Sequence, residues 1–249
     1  MNKELQIKTA VEKFEALIRK QQERAERIRA EKEYTDYKKL DKLIIGICGG
    51  DGIGPVITNE AARVLEFLLK DEVETGKVEF RTINGLTIEN RAAAGKAIPD
   101  DVLAELKKCH VILKGPTTTP RAGDEWPNIE SANVAMRKEL DLFCNMRPVR
   151  VPEQGIDWTF FRENTEGGYA VGSEGQHITD DLAVDFVVAT TEGCERIARL
   201  AYEYAKNNGK ERVSIITKAN VIKTTDGKFL KICQKVGEEY PEITTDDWY

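Results

Sequence analysis

Arginine is the side chain best suited to hold a carboxylate, because its planar fork donates two parallel hydrogen bonds to the two oxygens. Three arginines lie close together in this sequence: Arg137 in Ser131-x-Asn133-x-x-x-Arg137, Arg147 in Met146-Arg147-Pro148, and Arg162 in Phe161-Arg162-Glu163-Asn164. Converged on one ligand they would bind a small polyanion; taken singly, each is an ordinary solvated residue. Ser131, Asn133 and Arg137 have the spacing of one helix face near its N-terminus, where the peptide dipoles also favour an anion. Further on come Tyr169, after Asn164-Thr165-Glu166-Gly167-Gly168, and Lys218, ahead of Ala219-Asn220. A phenol and an ammonium buried near each other can pass a proton at neutral pH, whereas an exposed pair would only be solvated.

Two loops could present backbone and hydroxyl groups to a ligand. Lys114-Gly115-Pro116-Thr117-Thr118-Thr119-Pro120 follows the apolar run Val111 to Leu113, so its ammonium and hydroxyls fall at the C-terminal end of a strand, the edge where open α/β sheets bind ligands. Gly49-Gly50-Asp51-Gly52-Ile53-Gly54-Pro55 lies between a strand and a helix. Its glycines do not fit the dinucleotide fingerprint, and a structural turn is at least as good a reading as a phosphate cradle.

The elements that must position these residues follow from periodicity. Residues 1 to about 40 are rich in Lys, Glu, Gln and Arg without Gly or Pro, and predict a long helix with Ile7, Val11, Phe14, Ile18, Ala25 and Ile28 along a coiled-coil seam interrupted at Gln21. Short apolar runs predict strands at Leu43–Cys48, Val78–Ile83, Val111–Leu113, Leu142–Asn145, Trp158–Arg162, Ala183–Val188, Val213–Thr217 and Ile243–Tyr249. Between them, helical patterns cover Ile57–Leu69, Pro99–Lys108, Glu192–Lys206 and Asp226–Glu239. The alternation predicts an α/β architecture with a largely parallel sheet, and antiparallel hairpins over 142–190 in a second lobe.

The composition narrows the function. The chain has 249 residues, 41% apolar and 32% charged, with a formal charge of -6, which suits one large or two modest folded domains and offers no general attraction to nucleic acid. No run approaches the roughly 18 apolar residues that span a bilayer. The five cysteines, Cys48, Cys109, Cys144, Cys194 and Cys233, have no metal-type spacing. With a charged N-terminus they predict a reduced, cytoplasmic protein.

The motifs Gly50-Asp51-Gly52-Ile53-Gly54-Pro55, Lys114 to Pro120, Ser131-x-Asn133-x-x-x-Arg137, Arg147-Pro148-Val149, Arg162-Glu163-Asn164-Thr165-Glu166 and Lys218-Ala219-Asn220, in this order, resemble the β-decarboxylating dehydrogenase family. That family includes isocitrate, 3-isopropylmalate, homoisocitrate and tartrate dehydrogenases. The match runs from about Lys42 to the last residue. It implies the two-domain isocitrate/isopropylmalate dehydrogenase-like α/β fold with the C-terminal part of the large domain missing. In that frame 1–40 is a helical extension, 41–135 the first part of the large domain and 136–249 the small, dimerising domain.

The resemblance also implies an activity, the oxidative decarboxylation of isocitrate to 2-oxoglutarate with hydride transfer to NAD or NADP, assisted by Mg²⁺ or Mn²⁺. Homoisocitrate and 3-isopropylmalate are the other substrates it allows, and a non-catalytic subunit or fragment is the other role. Ser131 and Asn133 would receive the carboxylate that marks isocitrate, and Arg137, Arg147 and Arg162 the remaining ones. Lys114, Thr118, Thr119 and Asn220 would lie at the cofactor. Tyr169 would protonate the carbon that loses CO₂, and Lys218 would take or relay the hydroxyl proton from the other subunit of a homodimer. The family's metal-binding aspartates lie beyond Tyr249, and Asp246 and Asp247 are no substitute for them. The segment Arg121 to Glu130, with Trp126, is longer than in the best-known isocitrate enzymes and lacks their glycine run.

Overall fold

The computed structural model describes residues 3–30, 35–121, 123–172 and 175–249. Two compact units emerge, Tyr34–Leu140 and, together, Met1–Glu33 with Asp141–Tyr249. Helix α1 (Lys3–Ala30) opens the chain and belongs to the second of these. Residues 1–2 and 31–34 of the helix expected over 1–40, and residue 122 of the segment 121–130, lie outside the described residues.

The first unit contains β1 (Leu43–Cys48), α2 (Gly54–Leu68), α3 (Lys70–Glu74), β2 (Val78–Thr82), α4 (Ile88–Ala94), α5 (Asp100–Leu106), β3 (Val111–Lys114) and α6 (Ala132–Glu139). Its sheet is parallel, in the order β2-β1-β3. A continuous apolar strand buried over its last four residues is what a central position covered on both faces demands, and β1 has it. Ile45 and Ile47 pack with Ala62 of α2. Cys48, from the alternate face, joins Ile83, Leu86, Ile98, Val102, Leu106, Ala135 and Met136.

The second unit holds β4 (Cys144–Val151) and β5 (Ile156–Glu163), paired antiparallel from Cys144–Glu163 to Val151–Ile156, then the short hairpin β6 (Gln176–Thr179) and β7 (Leu182–Val184). Next come α7 (Thr191–Asn207), β8 (Arg212–Ile216), α8 (Thr225–Gly237) and β9 (Thr244–Trp248), with β8 and β9 parallel. Its core joins Ala198, Tyr202 and Ala205 of α7 to Ile215, Cys233, Val236, Tyr240 and Ile243. The Tyr202 hydroxyl, too buried to go unpaired, lies 2.7 Å from Thr245 Oγ1.

Three expectations need correction. The strand expected at Leu142–Asn145 starts at Cys144 and runs on to Val151, through Pro148, which a two-stranded hairpin with free edges tolerates. The run Ala183–Val188 is a strand only over Leu182–Val184, paired with a strand that carries no apolar signal of its own. The α1 seam is also rotated. Leu17 is buried and Gln21, Arg24, Ala25 and Ile28 are half-buried, whereas Ile7, Val11 and Ile18 stay 49%, 59% and 43% exposed. The reason is that polar residues of α1 have partners in their own unit, Arg24 with Glu166 and Arg29 with Glu192, while of the expected seam Phe14 stacks on Phe186 at 4.3 Å. No helix among the described residues is long and apolar enough to cross a membrane.

Candidate functional site

In the first unit the strand ends deliver both loops to one edge, since Cys48 and Lys114 are register partners in β1 and β3. The glycine turn packs directly on the Lys114 loop. A Cβ on Gly50, whose φ is +74°, would stand 2.0 Å from the Pro116 carbonyl oxygen, and one on Gly115 2.0 Å from that of Gly49. Asp51 N–H donates to the Pro116 carbonyl at 2.7 Å. The turn is built for close backbone approach. The Asp51 carboxylate accepts the backbone N–H of Ile88 at 2.8 Å and of Thr118 at 2.7 Å.

Lys114 is half-buried and donates from Nζ to the Gly115 carbonyl at 2.8 Å and to Thr117 Oγ1 at 3.1 Å. Burial holds its pKa below the ordinary lysine value, with Arg91 adding in the same direction. The Thr118 and Thr119 residues are exposed at the loop tip. Ser131 occupies the N-cap of α6 with an extended backbone, yet its hydroxyl makes no cap hydrogen bond, which leaves it available to a ligand. Asn133 is exposed and Arg137 half-buried, four residues apart on α6. Asn133 and Arg137 are thus one turn apart, whereas Ser131, at the N-cap two positions before Asn133, does not share their side of the helix as expected for all three.

Arg91 carried no warning in its local sequence. Its side chain is fully buried on α4 and donates from Nε to the Ala97 carbonyl at 2.7 Å, from Nη1 to that of Thr118 at 2.7 Å and from Nη2 to that of Glu130 at 3.1 Å. No short-range pattern marks such a residue, because all three partners are main-chain oxygens from other segments.

In the second unit, Arg147 faces Phe160 across the β4–β5 pair and Arg162 faces Asn145, so the two arginines are diagonal neighbours on one face of the hairpin. Arg147 Nε donates to Asn145 Oδ1 at 2.9 Å. Arg162 donates from Nη2 to the Tyr169 hydroxyl and lies 4.9 Å from the centre of its ring. Arg162 and Tyr169 line an open cavity of about 260 Å³ with Glu163, Glu166, Cys194 and Asp226.

The rest of the Arg162-Glu163-Asn164-Thr165-Glu166 motif is buried framework. Glu163 accepts from the N–H groups of Thr165 and Glu166 and from the Thr165 hydroxyl, and burial raises its pKa. Glu166 accepts the Thr190 N–H at 2.9 Å at the start of α7, and Arg24 from α1 at 2.8 Å. Its carbonyl accepts the Tyr169 N–H at 3.2 Å, which ties the tyrosine's turn to this carboxylate. Lys218 and Asn220 lie after β8 and both are exposed, so the structure does not bury the ammonium that a proton-passing pair with Tyr169 would want. The Lys218 N–H donates to Asp226 Oδ2 at 2.7 Å, while its ammonium has no ion pair among the described residues.

The sequence profile of the isocitrate/isopropylmalate dehydrogenase family matches residues 44–249. The chain belongs to that family. It is 34% identical over 215 residues to homoisocitrate dehydrogenase of Methanocaldococcus jannaschii, covering 80% of this chain and 58% of that protein. It is also 34% identical over 221 residues to a regulatory subunit of the mitochondrial NAD isocitrate dehydrogenase of Dictyostelium discoideum, covering 85% and 56%. Among solved structures it is similar to isocitrate dehydrogenase from Methylococcus capsulatus, with a TM-score of 0.68, 32% identity, and coverage of 83% of this chain and 60% of that one. The chain spans little more than half the length of these curated relatives. Family membership and the α/β fold are those the motifs imply, and α1 precedes the segment that the family profile matches.

Among the described residues no group of three His, Cys, Asp or Glu side chains is placed to hold a metal ion. Asp246 and Asp247 are adjacent on β9, so their side chains alternate across the strand.

Proposed function

We propose that the protein containing this chain oxidises and decarboxylates isocitrate to 2-oxoglutarate with a nicotinamide cofactor, NAD or NADP. The observation that carries this reading is the uncommitted Ser131 hydroxyl at the head of α6, with Asn133 and Arg137 in the following turns. A hydroxyl and an amide there suit the extra carboxylate of a tricarboxylate, where an alkyl-bearing substrate wants apolar residues. Arg137, Arg147 and Arg162 take up the other carboxylates, each through a charge-assisted fork.

The chemistry assigns the protons. Lys114, Thr118, Thr119 and Asn220 would hold the nicotinamide, which would supply the acceptor for the hydride on C2 of the substrate. The hydroxyl proton goes to Lys218, which acts from the second copy of a homodimer. With C2 now a carbonyl, the bond from C3 to its carboxylate breaks, CO₂ leaves, and the electron pair passes into the enolate of the product. Tyr169 then returns a proton to C3. Its hydroxyl accepts from Arg162, so a guanidinium is at hand to stabilise the phenolate that this step leaves. A divalent cation, Mg²⁺ or Mn²⁺, polarises the carbonyl as a Lewis acid when bound. The described residues do not form its site, and no step here depends on one.

Reduction of NAD and of NADP by the full-length protein with isocitrate, homoisocitrate, 3-isopropylmalate and tartrate tests the reading. Isocitrate is expected to give the highest kcat/KM, and preference for any of the others overturns it. A second reading, a non-catalytic subunit, is favoured by the likeness to a regulatory subunit. It predicts no reduction by the protein alone and a change in the activity of a catalytic partner when the two are mixed. Exposed Val149, Trp158 and Phe160, on the β4–β5 hairpin with the two arginines, support association with another copy, which light scattering of the full-length protein checks.

A further inference from the structure

We infer that Arg91 is a positioning residue which holds the Thr118–Thr119 turn and the Ser131 end of α6 in a common register. The inference deepens the proposed function, because it takes those hydroxyls as ligand-binding groups.

A fully buried guanidinium is costly, and Arg91 has no ion pair among the described residues to offset it. Burial indeed pulls its pKa down, with only the field of Asp51 opposing. A methionine or leucine would fill the space without that penalty. What the guanidinium adds is three rigidly directed N–H groups, and each is used on a different segment: Ala97 after α4, Thr118 in the loop after β3, and Glu130 immediately before Ser131.

Asp51 turns this into a closed circuit. Its carboxylate accepts the N–H of Ile88, the first residue of the helix that carries Arg91, and the N–H of Thr118. Thr118 is therefore held at both of its backbone polar groups, its N–H by Asp51 and its carbonyl by Arg91. The third Arg91 bond extends the same grip to the residue that sets where Ser131 begins α6. A displacement of about 1 Å in groups that orient a reacting substrate is enough to cost on the order of a hundredfold in rate, so a device that fixes two such loops against each other has a functional consequence. Lysine cannot replace it, since one ammonium at the end of a flexible stem does not reproduce a planar fork aimed at three carbonyls.

Hydrogen exchange on the full-length protein separates this role from general stabilisation. In Arg91→Lys, the amide of Thr118 and that of Ala135, which donates to the Ser131 carbonyl, are expected to exchange at least tenfold faster, with the β1 amides unchanged. Asp51→Asn, which touches Thr118 but not Glu130, is expected to accelerate Thr118 and leave Ala135 alone. Wild-type exchange at either amide in Arg91→Lys, acceleration spread through β1, or acceleration of both amides in Asp51→Asn overturns the inference. Should Arg91→Lys fail to fold, Arg91→Gln, which keeps part of the donor set, takes its place with the same expected and overturning results. In a protein active on isocitrate, Arg91→Lys is expected to lose at least tenfold in kcat/KM, and an unchanged value counts against it. If the unmodified protein oxidises none of the four acids, the proposed function fails while the exchange measurements still judge Arg91.

Discussion

Arg24→Met keeps most of the side-chain volume and deletes the guanidinium with which α1 grips the second unit. That group donates to Glu166 Oε1 at 2.8 Å and to Thr165 Oγ1 at 2.6 Å, and the Arg24 and Glu166 side chains are only 15% and 4% exposed. Breaking a buried pair on one side costs about 3–5 kcal/mol, because the remaining charge is stranded away from water. Glu166 would keep the Thr190 N–H and hydroxyl, which places the loss near the bottom of that range, about 3 kcal/mol. For a protein of this size the melting temperature should fall by about 6–12 °C. The internal control is Arg19→Met, which breaks an exposed pair with Glu15, 70% and 62% exposed, on the same helix and should cost about 0.5 kcal/mol or less. Adding Glu166→Gln to Arg24→Met should restore part of the loss, since no charge is then stranded. Thermal and urea unfolding of the four proteins decides. A loss no larger than that of Arg19→Met, or a double variant no more stable than Arg24→Met, would refute the assignment of a buried, stability-determining contact to α1.

Other consequences are as concrete. Gly50→Ala puts a Cβ against the Pro116 carbonyl at a positive φ and should destabilise by well over about 2 kcal/mol, whereas Gly209→Ala, at φ +63° with nothing within 4 Å, should lose about 1–2 kcal/mol; equal losses in urea unfolding would contradict the packing of the two loops. Burial pushes Cys48 up to about 11 and Cys194 and Cys233 to about 12, from an ordinary 9.0. Groups raised in this way stabilise the fold fully below pH 9 and lose that contribution as pH climbs toward 11–12, at about 1.4 kcal/mol per pH unit for each thiol. Urea unfolding from about pH 8 to 10.5 should show the decline, and a flat profile would count against it. In a catalytically active full-length protein, Lys218→Met should lower turnover about 100- to 10,000-fold while leaving isocitrate affinity nearly unchanged, and unaltered turnover would remove Lys218 from the proton transfer.

What the sequence made legible was whatever leaves a local trace. Leu43–Cys48 reads as a buried strand because every position is apolar or glycine, and α7 reads as a helix because its buried residues Cys194, Ile197, Ala198, Tyr202 and Ala205 recur at helical spacing. The arginines and Ser131 stood out by type and spacing. The rotated face of α1 did not, because its inward stripe includes Gln21 and Arg24, and Arg24 is satisfied only by partners more than a hundred positions away. Arg91 escaped for the same reason, and so did the roles of the motif residues Asp51 and Glu166: their work is to bind main-chain groups and distant side chains, and no periodicity reports that. The hairpin β4–β5 was half visible, since Arg147, Pro148 and Arg150 disguise a strand whose one face carries ligand-binding candidates.

The proposed function assigns carboxylate binding to Arg137 beside Ser131 on α6 and to Arg147 and Arg162 on the β4–β5 hairpin. A crystal structure of the full-length protein with isocitrate bound tests it most directly. Arg137, Arg147 and Arg162 are expected within hydrogen-bonding distance of the ligand's carboxylates, with the Ser131 hydroxyl on one of them. Isocitrate held elsewhere, or bound with these side chains turned to solvent, would contradict it.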